Sequence, residues 1–479
     1  MLRQNLLPSA RSARSAIAKP RSIRHRALHI TTTLASSPQY TTRNTSAWAA
    51  ATESAHSVLT PPPSSASSSD PLAAIHAEIG NLKDSLFRLL GNSHPSLDTI
   101  AKYYFHTEGK HLRPLLVLLM SQATNGLAGQ GWERAVHEAE RDSVDDSLTP
   151  TGGVLNDWNP EQSGREPSSS TATFAEPFRI PNPIAPPPSL APKLESLFSA
   201  PSSSPSSSSP IPILPTQRRL ASITEMIHVA SLLHDDVIDS SPLRRSQPSA
   251  PSAFGNKLSI LSGDFLLGRA SVALARLGSR EVVELLATVI ANLVEGEVMQ
   301  LRATSEPETE PTRKGFEDYM RKTYLKTASL MAKSARAAVI LGGCGRGDME
   351  WVKDVAYGYG RNIGIAFQLI DDALDFLPSP DLGKPGAGAD LRLGLATAPA
   401  LFAWESHPEM GPLILRKFEE PGDVELARDI VGRSDGLERT VDLARRFAGS
   451  ARGLVERLPE SPAREALVGL TMKVVDRVK

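Results

Sequence analysis

Apolar residues begin to recur at three- and four-residue spacing just after Asp70, where Leu72, Ile75, Ile79, Leu82, Leu86 and Leu89 form one stripe. That period puts them on one face of an α-helix. Similar patterns run through residues 97–123, 217–239, 258–277, 280–302, 314–342, 349–376, 394–405, 423–431 and 437–476. No stretch alternates apolar and polar positions over a useful strand length. The pattern predicts an all-α bundle over residues 71–479, interrupted at about 124–212. There, 14 of the 38 prolines fall between Pro160 and Pro215 among serine runs. Such a composition cannot bury enough apolar surface to offset the entropy of ordering it, so a disordered insert is expected. The PxxP spacing at Pro183–Pro186 reads as part of a spacer.

Residues 1–70 are expected to be a targeting segment and linker. No acidic residue precedes Glu53, while Arg3, Arg11, Arg14, Lys19, Arg21, Arg24, Arg26 and Arg43 stand among many Ser, Thr and Ala. Arg-rich, Ser-rich and acid-poor is the composition of an organellar transit peptide. Uninterrupted apolar runs, such as Leu115–Met120, are too short to span a membrane. With 52 basic and 53 acidic residues the formal net charge is −1, which gives no field that would gather nucleic acid. The single cysteine, Cys344, excludes an intrachain disulfide and a cysteine-cluster zinc site.

The chemistry concentrates in two DDxxD sequences, Asp235-Asp236-x-x-Asp239 and Asp371-Asp372-x-x-Asp375, each ending an apolar helical run. Positions i and i+4 share a helix face, so Asp235 with Asp239, and Asp371 with Asp375, are each expected to present two carboxylates in one direction. Like charges so placed need cations. Oxygen-only ligands point to a hard ion, and the EF-hand pattern of Ca²⁺ loops is absent, which leaves Mg²⁺ completed by substrate phosphates. Basic groups suited to phosphate stand at Lys110 and Arg113, at Arg244 and Arg245, at Lys326 beside Thr327, and at Lys384. His228 lies two turns before Asp235, and Gln368 one turn before Asp371.

Together, Gly109-Lys110-x-x-Arg113-Pro114, the two aspartate sequences, Arg244-Arg245, Lys326-Thr327 and Gln368 resemble the trans-polyprenyl diphosphate synthases. Phe254-Gly255-Asn256-Lys257 and Gly263-Asp264-Phe265-Leu266-Leu267 look most like the mitochondrial long-chain members that make the ubiquinone side chain. Glu108 and Ser246 depart from the usual glycines.

The resemblance implies an isoprenoid-synthase-type antiparallel helix bundle around a deep cavity, commonly a homodimer, with a heteromer as an alternative. It also implies Mg²⁺-assisted ionisation of an allylic diphosphate, farnesyl or geranylgeranyl, followed by condensation with isopentenyl diphosphate and loss of a proton. By the same resemblance Asp235, Asp239, Asp371 and Asp375 hold the metal, with Asp236 and Asp372 supporting. Lys110, Arg113, His228 and Arg245 hold isopentenyl diphosphate. Arg244, Lys326, Thr327, Gln368 and Lys384 serve the allylic side. Small or modest residues at Ile227, Ala230 and Ser231 imply a long product, and a geranylgeranyl synthase stays open. The implied location is the mitochondrial matrix, with peripheral contact to the inner membrane.

Overall fold

The computed structural model describes residues 73–90, 95–106, 111–141, 212–244, 247–305, 307–345, 347–377 and 388–478. The expected targeting segment and most of the expected insert lie outside these residues, as do Lys110, Arg245 and Lys384. Among the described residues, five helices precede the Pro/Ser-rich stretch: α1 (Ala73–Gly80), α2 (Leu82–Leu90), α3 (Pro95–His106), α4 (Leu112–Thr124) and α5 (Gln130–Arg141). After it come α6 (Pro215–Ile238), a two-residue ribbon pairing β1 (Leu243–Arg244) with β2 (Gln247–Pro248), α7 (Ala250–Phe254), α8 (Asn256–Ala275), α9 (Arg280–Ser305) and α10 (Arg313–Thr323). A π-helical turn (Tyr324–Ala328) joins α10 to α11 (Ser329–Leu341), which is followed by α12 (Glu350–Leu374) and the short α13 (Ala389–Arg392). The chain ends with α14 (Ala398–Ser406), α15 (Met410–Leu415), α16 (Asp423–Arg433), α17 (Gly436–Val455), α18 (Pro462–Val475) and a final 3₁₀ turn (Asp476–Val478).

The helices that carry the two aspartate sequences are the core of the bundle. On α6, Leu220, Ile223, Met226, Ile227, Ala230 and Leu233 are all fully buried, because α4, α8 and α11 cover it on different sides. A helix that is apolar on most of its circumference is stable only when enclosed in this way. α12 is enclosed likewise by α11, α17 and α18. Gly364 lets it approach the π-helical turn, where a Cβ would stand 2.7 Å from the Ala328 Cα. A satellite cluster of Leu391, Trp404, Met410, Leu413 and Ile430 ties α13–α16 together beside the main core.

The expected all-α class holds, with the small ribbon as an addition. The expected start of the insert at about 124 does not: residues 130–141 form α5, so the Pro/Ser-rich stretch begins later. Helix period in α5 is carried by Trp132, Ala135, Val136 and Ala139 among many charges, too thin a stripe to stand out. The pattern over 97–123 is broken at His111, whose φ of 41° is left-handed, and that over 437–476 breaks where Ser461 caps α18 ahead of Pro462. α8 is long and apolar enough, by length and composition, to cross a membrane, and 44% of its most apolar window is buried. Its inner face packs on α6 and α3.

Candidate active site

Asp235 and Asp236 end α6, and the Asp239 N–H donates to the Asp235 carbonyl at 2.8 Å, so helical geometry continues through the sequence. Asp235 and Asp239 are therefore on one face, as the spacing requires. Asp236 points the other way and is fully buried. Arg244, returning on β1, grips it with Nε at 2.8 Å and Nη2 at 2.5 Å from Oδ1, and Tyr104 of α3 donates its hydroxyl to Oδ2. The Tyr104 hydroxyl also accepts the Ala250 N–H at 2.8 Å, and Tyr103 donates to the Pro248 carbonyl at 2.9 Å. Asp236 thus fastens the loop after the cluster to α3. Arg244, for which the resemblance implies contact with a diphosphate, directs its Nε and Nη2 to Asp236 here.

Asp235 and Asp239 are left with too little positive charge. Burial pushes Asp235 up to about 6, opposed by Lys326 and reinforced by Glu297 and Asp239. Asp239 is raised by burial too, again opposed by Lys326. A carboxylate pair in this state favours a cation, and its oxygen-only donors suit a hard divalent ion.

The second cluster is built differently. Asp372 is buried and accepts the Tyr319 hydroxyl at 2.5 Å and the Gln368 amide at 2.9 Å; burial raises it, and these two bonds pull the other way. Asp375 is 1% exposed, and its two oxygens accept the backbone N–H groups of Ala389 at 3.1 Å and Asp390 at 3.0 Å. It acts as the capping acid for the first turn of α13, where an anion meets exposed N–H groups. The Asp375 N–H donates to the Asp371 carbonyl at 3.2 Å, so the two keep the helical spacing expected of them, while the return of the chain at Gly388 gives the Asp375 carboxylate backbone partners. Asp371, with its side chain 26% exposed, is held by Arg477 of the final turn, Nη2 to Oδ1 at 2.6 Å, with the guanidinium over the Phe367 ring at 4.7 Å.

Lys326 and Thr327, adjacent on the π-helical turn, serve the two clusters separately. Lys326 is the main opposing charge on Asp235 and Asp239, and its Nζ donates to Glu297 Oε2 at 2.5 Å and Gln300 Oε1 at 3.2 Å. Thr327 donates to Gln368 Oε1 at 2.8 Å, and so reaches Asp372 through that amide. π-helical turns gather at functional sites because they re-aim successive side chains. A cavity of about 380 Å³ is lined by Gln300, the partner of Lys326, and by Tyr319, the partner of Asp372, with Lys322 between them. None of the six motif aspartates lines that cavity; what relates the two clusters is the Lys322 ammonium, which feels Asp372 on one side and Lys326 and Glu297 on the other.

The remaining expected residues lie along α6 and α4. His228 and Ser231 are half-buried on the Asp235 face, and the Ser231 hydroxyl donates to the His228 carbonyl at 2.8 Å. Ile227 and Ala230 are fully buried beneath. Arg113 stands half-buried in the first turn of α4, which His111 ties to Glu225 of α6 at 3.1 Å. Sequence reasoning missed Tyr104, Tyr319, Glu297, Gln300 and Arg477. Of these only Gly296-Glu297-x-x-Gln300, a small residue, an acid and an amide within one turn, carries a visible signal.

The fold is that of the helical polyprenyl synthases. It is similar to a crystal structure of a polyprenyl synthase from Caulobacter crescentus CB15, complexed with calcium and isoprenyl diphosphate, with a TM-score of 0.60, 25% sequence identity, and 86% of this chain and 99% of that one covered. In sequence the chain is 48% identical over 419 residues to a probable mitochondrial hexaprenyl pyrophosphate synthase of Yarrowia lipolytica, covering 86% of this chain and 85% of that protein. It is 40% identical over 406 residues to decaprenyl-diphosphate synthase subunit 1 of Schizosaccharomyces pombe, covering 85% of this chain and 90% of that protein. The profile described as Polyprenyl synthetase matches residues 209–431. The chain belongs to the polyprenyl synthetase family and is a prenyltransferase.

Proposed function

We propose that the chain is a long-chain all-trans-polyprenyl diphosphate synthase of the mitochondrion, extending farnesyl or geranylgeranyl diphosphate with isopentenyl diphosphate toward the ubiquinone side chain. The observation that carries the site reading is the π-helical turn that sets Lys326 against Asp235 and Asp239 and Thr327 against Gln368 and Asp372. The relatives named above, a hexaprenyl and a decaprenyl synthase, support a long product. The similar structure with calcium and isoprenyl diphosphate supports a divalent ion, for which Mg²⁺ is the ion we assign.

Asp235 and Asp239 would hold that ion, with Asp371 reaching it from the other helix once released by Arg477. Asp236, Asp372 and Asp375 shape the two helix ends. When bound, the ions supply the positive charge that stabilises the departing diphosphate as the allylic C–O bond ionises. Lys326 adds to that charge, and Thr327 and Gln368 fix the turn on which it stands. Arg113 and His228, together with Lys110 and Arg245, would hold isopentenyl diphosphate. Lys384 would complete the allylic side. The isopentenyl double bond then attacks the allylic carbon, and the proton lost as the new trans double bond forms passes to the departing diphosphate. No side-chain nucleophile takes part. Ile227 and Ala230 floor the site with apolar atoms and keep water from the cation.

Outward-facing Leu258 and Leu261 on α8, and Val294, Val298 and Leu301 on α9, recur at three- and four-residue spacing. This apolar face supports a second copy of the chain as its cover, more than a membrane, since the inner side of α8 is committed to the core. The full chain, supplied with farnesyl diphosphate, labelled isopentenyl diphosphate and Mg²⁺, should give hexaprenyl to decaprenyl products from a particle of dimeric mass in light scattering. A product ending at geranylgeranyl would overturn the long-chain reading. Turnover appearing only when a different subunit is added would overturn the homomeric one.

A further inference from the structure

Lys326 lies in a socket that α9 builds for it. Gly296 clears the way for its stem, since a Cβ there would stand 2.6 Å from the Lys326 Cγ. One residue on, Glu297 receives the ammonium at 2.5 Å, and one turn on, Gln300 accepts from it at 3.2 Å. Glu297 is 8% exposed, and its second oxygen, Oε1, is buried with no hydrogen-bond partner. A buried carboxylate that leaves an oxygen unmatched costs stability, so an arrangement of this kind is retained for some return. The same Lys326 is the largest positive influence on both Asp235 and Asp239. The ammonium therefore acts on two anionic groups: it is bonded to Glu297 on α9, and its charge is felt by the aspartate pair on α6.

We infer that Glu297 is a positioning residue that keeps Lys326 off the Asp235–Asp239 pair, so that those carboxylates stay available to a divalent ion. This rests on the proposed metal role of Asp235 and Asp239. Removing the negative charge at Glu297 frees the ammonium to turn toward the aspartate pair, whose carboxylates already feel its charge. It then competes with the metal as an internal cation. Gln300 alone cannot hold it, because a neutral amide offers one bond and no charge. The Glu297–Lys326 pair thereby works as a second layer of the metal site, setting which groups the ion finds free.

The test is Mn²⁺ binding by the full-length protein without substrate, followed by the electron paramagnetic resonance signal of free Mn²⁺. In Glu297→Gln the affinity should fall about tenfold, the range typical of partners that support metal ligands. In Glu297→Gln combined with Lys326→Met the competing cation is gone, and binding should return to the wild-type value or above it. Glu297→Asp, which keeps the charge, should bind Mn²⁺ as the wild type does. Equal affinities in wild type and Glu297→Gln would overturn the inference, and so would weak binding in the double variant, which would mark Glu297 as a ligand or a purely structural acid. Loss of wild-type binding, or binding that survives Asp235→Asn unchanged, would instead overturn the underlying metal assignment. A circular-dichroism melt of each variant separates these outcomes from failure to fold.

Discussion

The two DDxxD sequences are spelled alike and each closes a buried helix, yet their surroundings have opposite characters. At the first, the middle aspartate, Asp236, takes up the structural work with Arg244 and Tyr104, and the flanking Asp235 and Asp239 stay short of positive charge. At the second, Asp372 and Asp375 are both consumed by protein partners, and Asp371 is met by Arg477. One helix end keeps a buried carboxylate pair short of positive charge, and at the other each aspartate has a partner from the chain itself. The spacing of a motif fixes which carboxylates share a face. What returns toward that face from elsewhere in the chain decides which of them remain free.

The contrast is broken most severely by exchanging catalytic for structural losses. Asp235→Asn should lower kcat about 10³-fold, the scale of losing a group that stabilises transition-state charge. It should leave the melting temperature of the metal-free protein unchanged or raised. Asp375→Ala should cost about 1–2 kcal/mol of stability, as the loss of a helix-capping acid does. The sign for Asp235 follows from its value of about 6, which lies above the ordinary carboxylate range. Its ionised form weighs against the fold above that pH, and the burden lifts as the pH falls through about 6 and below toward the unfolded value. The difference in melting temperature between Asp235→Asn and wild type, without metal, should be widest near about pH 7.5 and close by about pH 4. Should Asp235→Asn melt as low as Asp375→Ala, the two clusters would not differ as described.

A smaller effect concerns the latch on Asp371. The Arg477 side chain is 5% exposed and that of Asp371 26%, so the pair is partly shielded from water. A metal that uses Asp371 has to displace the guanidinium. Arg477→Ala should therefore lower the Mg²⁺ concentration for half-maximal turnover about threefold, in keeping with a partly exposed ion pair, and soften the melt of the C-terminal helices. An unchanged Mg²⁺ midpoint with a reduced kcat would mean that Arg477 acts on substrate and does not stand in for metal.

Much of this was legible in the sequence, and the reasons are local. Helix period and the i, i+4 aspartates placed Asp235 and Asp239 on one face without any tertiary information. Lys326, Thr327 and Gln368 were visible as candidates, but not that one residue of the adjacent pair serves each cluster. That division depends on a π-helical turn, for which single-residue propensity gives no sign. The fate of Asp375 was not legible either, because it is set by the backbone of Ala389 and Asp390 arriving fourteen and fifteen residues later. Tyr104 meets Asp236 from 132 residues away, and Arg477 meets Asp371 from 106. Contacts of that separation leave no periodicity, so only the fold reveals them.

The finest division between the clusters runs through Thr327 and Gln368, the 2.8 Å bond that ties the turn carrying Lys326 to the side of Asp372. If this bond is the link, Thr327→Val and Gln368→Leu should not act independently. Thr327→Val removes a donor and leaves the Gln368 carbonyl oxygen without it. Gln368→Leu removes both that acceptor and the 2.9 Å amide bond to Asp372, so it is the more costly single change. Once Gln368 is Leu, the further loss of the Thr327 hydroxyl has little left to remove. A double-mutant cycle on kcat/KM for the allylic substrate should return a coupling of about 1 kcal/mol between the two positions. The same cycle between Thr327 and Asp236, on the far side of the first cluster, should return a value near zero. Additive losses at Thr327 and Gln368 would mean that each cluster is positioned on its own, and that the shared turn is only where their helices happen to meet.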